Sequence, residues 1–196
     1  IGLYRHVIEN DKITRSCDGP SLAPGREISN KTLGVIGLGA IGQRTAKLAQ
    51  AFGCNVIAWN RTPKDVEGVT LVDKDTLLKE SDIITLHIAL NEETRNFITA
   101  KEIGMMKPSA IIINAARGPI INTNDIAEAL RDGRISGAAL DVFDTEPPLD
   151  KNNPLLNLPN TMLMPHIGFA TEEAFELRLG IVVKNVEKFG NFIFYA

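Results

Sequence analysis

A glycine-rich turn between an apolar run and an amphipathic stretch is the feature that most constrains the fold of this chain. The turn reads Gly37-Leu38-Gly39-Ala40-Ile41-Gly42. Residues 33–37 before it are apolar, as a buried strand is, and residues 41–52 after it place apolar side chains three and four positions apart, as a helix does. A strand, a tight glycine turn and a helix in this order begin a β-α-β unit. The sequence therefore predicts an α/β fold built on a parallel sheet.

The alternation of short apolar runs with stretches of helical spacing continues along the rest of the chain. Right-handed crossovers between such strands put helices on both faces of the sheet. We therefore expect a doubly wound, Rossmann-type domain over residues 33–190. The strand candidates are residues 33–37, 55–59, 69–72, 83–87, 110–114, 137–140 and 161–164, and the helix candidates are residues 41–52, 75–80, 123–132 and 171–189.

The glycine turn has the pattern of a dinucleotide-binding loop. Gly37 permits the tight turn, Gly39 lets the backbone approach a pyrophosphate, and Gly42 lets the helix pack closely on the strand. The backbone N–H groups near Ala40 and Ile41 would face the anion at the start of the helix. The turn therefore predicts a pyrophosphate site, and the alternative is that its glycines only shape a turn.

The end of the second predicted strand indicates which dinucleotide is bound. A site specific for NAD usually has Asp or Glu there for the ribose hydroxyls, whereas this chain has Asn60, Arg61 and Thr62. Asn60 and Thr62 can hydrogen-bond a 2′-phosphate, and Arg61 can supply positive charge and stack on adenine. We therefore expect NADP to be preferred. In the alternative, Asn60 binds the ribose of NAD and Arg61 is a solvated turn residue.

Charge and cysteine content exclude several other classes of function. Lys and Arg number 21 and Asp and Glu number 24, so the net charge of -3 gives no reason to expect nucleic acid or an anionic membrane as a partner. The apolar runs are far shorter than the ~20 residues that span a bilayer. Cys17 and Cys54 lack metal-ligand spacing, and residues 1–10 lack the apolar core of a secretory signal. We expect no bound metal, and a cytoplasmic protein.

Three later motifs complete a pattern that resembles a known family. They read Asn114-Ala115-Ala116-Arg117-Gly118, then Asp141-Val142-Phe143-Asp144-Thr145-Glu146-Pro147, and finally Pro165-His166-Ile167-Gly168. Together with the glycine turn, they resemble the D-isomer-specific 2-hydroxyacid dehydrogenases in order and spacing from about residue 32 to residue 188. The family includes enzymes that act on glyoxylate, hydroxypyruvate and phosphoglycerate.

The resemblance assigns the proton and substrate chemistry to three residues. It implies that Arg117 binds substrate, that His166 is the acid/base and that Glu146 is the partner of His166. An Arg can grip the carboxylate of a 2-oxo acid and polarise the adjacent ketone, and a His can protonate the oxygen that gains charge. Taken singly, Arg117 could be a solvated loop residue, Glu146 a surface carboxylate and His166 a structural histidine.

The resemblance also extends the set of cofactor-binding residues. Asp141 is implied to lie near the nicotinamide carboxamide. Ala89 stands where the family usually has Pro, in the loop after the fourth predicted strand. The other residues implied to contact the cofactor are Ala115, Ala116 and Gly168.

Family members have a second, substrate-binding domain, which is largely missing from this chain. Residues 1–10 look like a short helical segment that ends an interdomain helix, so residues 1–32 are interpreted as helix remnant and linker. Residues 191–196 are interpreted as a truncated tail whose aromatic side chains faced a partner. The resemblance also implies a homodimer formed through the cofactor domain.

Three functions are compatible with these residues. The favoured one is an oxidoreductase that transfers a hydride between NADP and a small D-2-hydroxy or 2-oxo acid, with glyoxylate and hydroxypyruvate preferred over phosphoglycerate. The second is a nucleotide-sensing protein, since corepressors that resemble these dehydrogenases bind dinucleotides. The third is a cofactor-binding fragment without turnover.

Overall fold

The computed structural model describes residues 1–17, 19, 24–147 and 149–194, with side chains as far as residue 189. The chain divides into two compact units, of which the first ends at Met164 and the second begins at Pro165. Positions 18 and 20–23 of the predicted linker lie outside the described residues, as do 195 and 196 of the predicted tail. The tail side chains, for which the sequence predicts a partner surface, lie outside the described part as well.

The first unit is built on one sheet of parallel strands. The strands are β1 (Thr32–Ile36), β2 (Asn55–Trp59), β3 (Val69–Leu71), β4 (Ile83–Leu86), β5 (Ile111–Asn114), β6 (Gly137–Leu140) and β7 (Thr161–Leu163). Their order across the sheet is β3-β2-β1-β4-β5-β6-β7, and every neighbouring pair is parallel. The chain fills one side of β1 first and then the other, which confirms the predicted doubly wound topology.

Helices follow most of the strands. Helix α1 (Val7–Ser16) precedes the sheet. The helices after it are α2 (Ala40–Ala51), α3 (Lys74–Glu80), α4 (Ala100–Ile103), α5 (Thr123–Arg131) and, in the second unit, α6 (Glu172–Phe194), and a 3-10 turn lies at Gly118–Ile120. Side-chain caps start several of them: the carboxylate of Asp73 accepts the N–H of Thr76 at α3, and Asn122 accepts the N–H of Asp125 at α5. These caps fix where each helix leaves the preceding loop.

Both faces of the sheet are covered by apolar side chains. Successive side chains of β1 point to opposite faces, so the fully buried Val35 and Ile36 enter two different hydrophobic clusters. The Val35 cluster includes Ala46 of α2, and the Ile36 cluster includes Leu77 of α3 and Ile126 of α5. A strand buried on both faces reads as a continuous apolar run, which is why the sequence marked these strands clearly.

The predicted strands are all confirmed, with ends that differ by one residue at most. The short helix α4, the 3-10 turn and the length of α1 were not predicted. The helical segment expected over residues 1–10 is found only in part: residues 7–10 are helical, His6 has a left-handed φ of 49°, and the helix runs from Val7 to Ser16. None of the ten residues of α1 is buried, so there is no apolar stripe from which its limits could be read.

Candidate functional site

The glycine turn joins β1 to α2 in a conformation that glycine alone supports at two positions. Gly37 has a φ of 101°, and a Cβ there would lie 2.8 Å from the carbonyl oxygen of His87. A Cβ on Gly42 would fall on the carbonyl oxygen of Gly37. At Gly39, by contrast, an added Cβ would meet none of the described atoms within 4 Å. The turn is therefore closely packed on its protein side and open at Gly39, where α2 begins.

Asn60 ties the glycine turn to the loop after β2. Its side-chain oxygen accepts the N–H of Leu38 at 2.9 Å, and its amide donates to the carbonyl oxygen of Thr62 at 2.6 Å. The N–H of Gly37 also donates to the carbonyl oxygen of Trp59 at 2.9 Å. The sequence predicts Asn60 as a ligand of the cofactor, and in the structure its side chain also holds the two loops of the site together.

A cavity of about 300 Å³ lies at the carboxyl ends of β1, β2 and β4. This is the sheet edge at which open α/β sheets bind ligands. Among the residues that line it are six predicted cofactor contacts, namely Gly37, Gly39, Asn60, Arg61, Thr62 and Ala89. The structure thus brings the glycine turn and the loop of residues 60–62 to one pocket.

Seven other residues that line this pocket were not predicted as parts of the site, among them Trp59, His87, Glu93 and Phe97. The ring of Trp59 lies 5.2 Å from that of Phe97, and both line the cavity. His87 lines it too, and burial lowers the pKa of its imidazole, which favours the neutral ring. Glu93 places a carboxylate oxygen 3.3 Å from Nη1 of Arg61. The two contacts join residues more than thirty positions apart in the chain, so no local pattern in the sequence indicates them.

The loop after β5 presents Arg117. The buried side chain of Asn114 accepts the N–H of Ala116 at 3.0 Å and donates to the carbonyl oxygen of Arg117 at 2.9 Å, which closes the turn. The guanidinium of Arg117 is exposed and donates one hydrogen bond to the carbonyl oxygen of Ala116 at 2.6 Å. A guanidinium has five N–H groups, so this bond leaves capacity for a carboxylate. Asn114 is therefore a positioning residue that the sequence motif contains but that was not singled out.

The loop after β6 carries Asp141 and Glu146 next to the Arg117 loop. The N–H of Asp141 donates to the carbonyl oxygen of Asn114 at 2.9 Å. Glu146 accepts the N–H of Phe143 at 3.3 Å, and the hydroxyl of Thr123 donates to Asp144 at 2.5 Å. A Cβ on Gly118 would fall on the backbone of Phe143. The two loops are therefore packed against each other, so Arg117 and Glu146 follow neighbouring strands at one edge of the sheet.

His166 and Gly168 belong to the second unit. His166 has a left-handed φ of 56°, which is uncommon for residues other than glycine, although His adopts it more often than most. Its ring meets that of Phe169 edge to face, with centroids 5.6 Å apart, and the guanidinium of Arg178 lies over Phe169 at 4.8 Å. The three residues assigned to proton and substrate chemistry are thus divided between the two units, with Arg117 and Glu146 in the first.

No helix among the described residues has both the length and the apolar composition needed to cross a membrane. Within the same residues, His, Cys, Asp and Glu side chains do not gather in groups of three that could hold a metal ion.

The sequence and the fold match known dehydrogenases. Residues 1–168 match the model of a family described as D-isomer specific 2-hydroxyacid dehydrogenase, NAD binding domain. The chain is 42% identical over 201 residues to a glyoxylate reductase of Thermococcus litoralis, an alignment that covers 96% of this chain and 60% of that relative. The chain therefore spans about three-fifths of the length of this relative.

Two solved structures of similar fold contain different cofactors. A D-lactate dehydrogenase with NAD+ from Lactobacillus jensenii has a TM-score of 0.85 and 32% identity, covering 97% of this chain and 62% of that one. An acyclic imino acid reductase in complex with NADPH and D-Arg has a TM-score of 0.87 and 35% identity, covering 96% of this chain and 61% of that one. The glycine turn, the sheet order and these matches agree, and the chain belongs to the D-isomer-specific 2-hydroxyacid dehydrogenase family, through its NAD-binding domain.

Proposed function

We propose that this chain is the cofactor-binding part of an oxidoreductase that transfers a hydride between NADP and a small 2-oxo or D-2-hydroxy acid. The observation that carries the proposal is the open phosphate turn beside a pocket that contains Asn60, Arg61 and Thr62, at the sheet edge where Arg117 and Glu146 also lie. The domain limits of 33–190 for cofactor binding, with 1–32 as linker and 191–196 as tail, are part of the same proposal.

The residues of the pocket fit a dinucleotide. Open space at Gly39 leaves room for a pyrophosphate at the start of α2, and the N–H groups of Ala40 and Ile41 stand in the first turn of that helix. Arg61 and Thr62 follow β2, where the adenosine ribose binds in this fold. Ala89, Ala115, Ala116, Asp141 and Gly168 would hold the remaining parts.

A bound nicotinamide ring supplies the hydride, and the side chains of the chain bind the acid and move the proton. Arg117 grips the carboxylate of the acid through paired N–H groups. His166 donates the proton to the ketone oxygen during reduction and takes it back during oxidation. By the family resemblance, Glu146 is the partner of His166 in this proton transfer.

Two details of the proposal depend on the loops of the site. Arg61 and the absence of a carboxylate at positions 60–62 favour NADP over NAD, because a carboxylate there would repel the 2′-phosphate. From the same loop we propose glyoxylate and hydroxypyruvate as substrates, in preference to phosphoglycerate. We also propose a homodimer of cofactor domains and a cytoplasmic location.

The reaction is tested by turnover and binding measured on the same variants. We expect glyoxylate or hydroxypyruvate to be reduced with NADPH, and His166→Asn and Arg117→Gln to lower turnover by at least about 100-fold while NADPH binding stays within threefold. His6→Asn, which changes a histidine outside the site, should leave both unchanged. Unaltered turnover in His166→Asn would contradict the assigned role. Tight NADPH binding without reduction of any small 2-oxo acid would contradict hydride transfer by this chain and favour a nucleotide-sensing protein or an inactive cofactor-binding fragment.

A further inference from the structure

Two residues that line the proposed cofactor pocket form an ion pair. Nη1 of Arg61, in the loop after β2, lies 3.3 Å from Oε2 of Glu93, in the loop after β4. These strands flank β1 on its two sides, so the pair faces across the carboxyl end of β1. Both side chains line the pocket and are exposed, at 77% for Arg61 and 76% for Glu93. Their charges are therefore accessible to a ligand that enters the pocket.

The loop that carries Glu93 is held by its own hydrogen bonds. The N–H of Thr94 donates to the side chain of Asn91 at 3.0 Å, and the N–H of Asn91 donates to the hydroxyl of Thr94 at 2.8 Å. The same hydroxyl donates to the carbonyl oxygen of Ala89 at 2.7 Å. These bonds hold the backbone on either side of Glu93, whose carboxylate lies on the Arg61 side of the pocket.

The loop that carries Arg61 is fixed in a similar way. Asn60 bonds both to Leu38 in the glycine turn and to Thr62 on the far side of Arg61. The two loops thus present opposite charges to one another.

The two nicotinamide dinucleotides differ by one group, the 2′-phosphate of NADP, which adds about two negative charges. In this fold the group binds at the end of β2. Among residues 60–62, which follow β2, Arg61 supplies the positive charge. A phosphate can displace Glu93 from Arg61, because an exposed ion pair is only weakly stabilising. The displaced carboxylate remains close by and repels the phosphate that replaced it.

We propose that Glu93 is a specificity-determining residue of this pocket, which lowers its selectivity for the 2′-phosphorylated cofactor by pairing with Arg61 and repelling the phosphate. The inference rests on the proposed role of Arg61 and adds to it a second charge of opposite effect.

The test compares Glu93→Gln with Glu92→Gln in the 196-residue chain. Glu92 is the neighbouring exposed carboxylate and does not line the pocket, so both variants lose one negative charge from the same loop. Dissociation constants for NADPH and NADH are measured by quenching of Trp59. We expect Glu93→Gln to tighten NADPH binding about three- to tenfold, as removal of one nearby like charge implies, and to leave NADH binding within twofold. Glu92→Gln should leave the ratio of the two constants unchanged.

The same variants in an Arg61→Gln background separate the two ways in which Glu93 acts. The part of the effect that depends on pairing with Arg61 should disappear there, whereas direct repulsion of the phosphate should remain and should weaken with added salt. If the wild-type chain binds the cofactors and Glu93→Gln leaves their ratio as Glu92→Gln does, the inference is overturned and the proposed function stands. Binding of neither cofactor by the wild-type chain would overturn both.

Discussion

At the scale of single residues, the side chain of Asn60 shows what sequence reasoning reached and what it missed. The absence of a carboxylate after β2 predicted that Asn60 would meet the cofactor. Its bond to Leu38 joins residues 22 positions apart and so links two loops. Its bond to Thr62 joins residues two positions apart within one loop. The short-range bond is typical of an Asn in a turn, whereas the long-range one depends on the pairing of β1 with β2 and is invisible to a local pattern.

Removal of the Asn60 side chain should therefore weaken both cofactors alike. Asn60→Ala loses two hydrogen bonds that hold the site in shape, so we expect about tenfold weaker binding of NADPH and of NADH, or ~1.4 kcal/mol. Asn60→Asp is the matched variant: it can still accept from Leu38 but adds a negative charge, and should weaken NADPH more than NADH. Loss of NADPH binding alone in Asn60→Ala would show that Asn60 contacts the phosphate and does not hold the loops. Calorimetric titration measures both constants.

Outside the site, Glu102 should make stability depend on acid pH. Burial disfavours its charged form, but hydrogen bonds from Thr99 and Lys74 outweigh that effect and lower its pKa to about 2. Because the folded pKa lies below the unfolded one, the carboxylate stabilises the fold above about pH 4.5, and this contribution is lost as pH falls towards 2. We expect Glu102→Gln to be less stable than wild type by about 2–3 kcal/mol at pH 7 and by progressively less below pH 4.5.

Denaturant unfolding of both proteins at several pH values measures this difference. Glu128→Gln is the control, because Glu128 pairs with Arg134 at the surface. Its effect on the free energy of unfolding should be small at every pH. A difference between wild type and Glu102→Gln that stayed constant from pH 7 to pH 2 would contradict the lowered pKa.

At the scale of secondary-structure elements, the sequence predicted what buried periodicity reveals and missed what it does not. The five central strands of the sheet are mostly buried, and all seven predicted strands were found. Helix α4 is a single turn with a capping box, in which Thr99 and Glu102 bond to each other's backbone. The Thr-x-x-Glu spacing was readable, but four residues are too few for a helical period. Helix α1 has no buried side chain, so its end at Ser16 could not be placed either.

The junction of β1 and α2 yields a matched pair of glycine variants. Gly39 has an extended φ of -68° and open space where a Cβ would stand, so Gly39→Ala should fold with stability within about 1 kcal/mol of wild type. The new methyl group would occupy the space proposed for the pyrophosphate, and we expect cofactor binding to weaken at least about tenfold. Thermal unfolding and dinucleotide titration together check this prediction.

Gly42→Ala should have a different result. Its Cβ would fall on the carbonyl oxygen of Gly37, so α2 must move away from the strand, at about 1–3 kcal/mol of stability. A Gly42→Ala variant as stable as wild type would show that the close packing of turn and helix is not required. If Gly39→Ala bound dinucleotide normally, the pyrophosphate would have to lie elsewhere.

At the scale of the whole molecule, the predicted sheet and family are confirmed, whereas the residues predicted for the proton and substrate chemistry are divided between two compact units. The first unit holds the pocket, Arg117 and Glu146, and the second holds His166. The chain spans 60% of the glyoxylate reductase that it matches. Sequence motifs predict the members of the site because each motif is a run of neighbouring residues. The division of the chain into two units depends on contacts between distant segments, which no motif reveals.

Assembly of two copies is the prediction that belongs to this scale. Ile41, Leu48 and Phe52 follow one another along α2 and the residue after it and are exposed, at 70%, 63% and 52%. Exposed apolar groups in such a row are typical of an interface. We expect the chain to sediment as a dimer and Leu48→Glu to sediment as a monomer with an unchanged fold. Leu156→Glu, at another exposed apolar position, should remain dimeric; a wild-type monomer at all concentrations would contradict the prediction.

Binding of the two dinucleotides to the unaltered chain is the most direct test of the proposal as a whole. Trp59 is the only tryptophan of the chain and lines the pocket beside Arg61 and Phe97. Its fluorescence should be quenched, with energy transfer to the reduced nicotinamide, as either cofactor is added. Saturable binding with a lower dissociation constant for NADPH than for NADH is the predicted result. A lower constant for NADH would contradict the preference for NADP, and no response to either cofactor would contradict the pocket as a dinucleotide site.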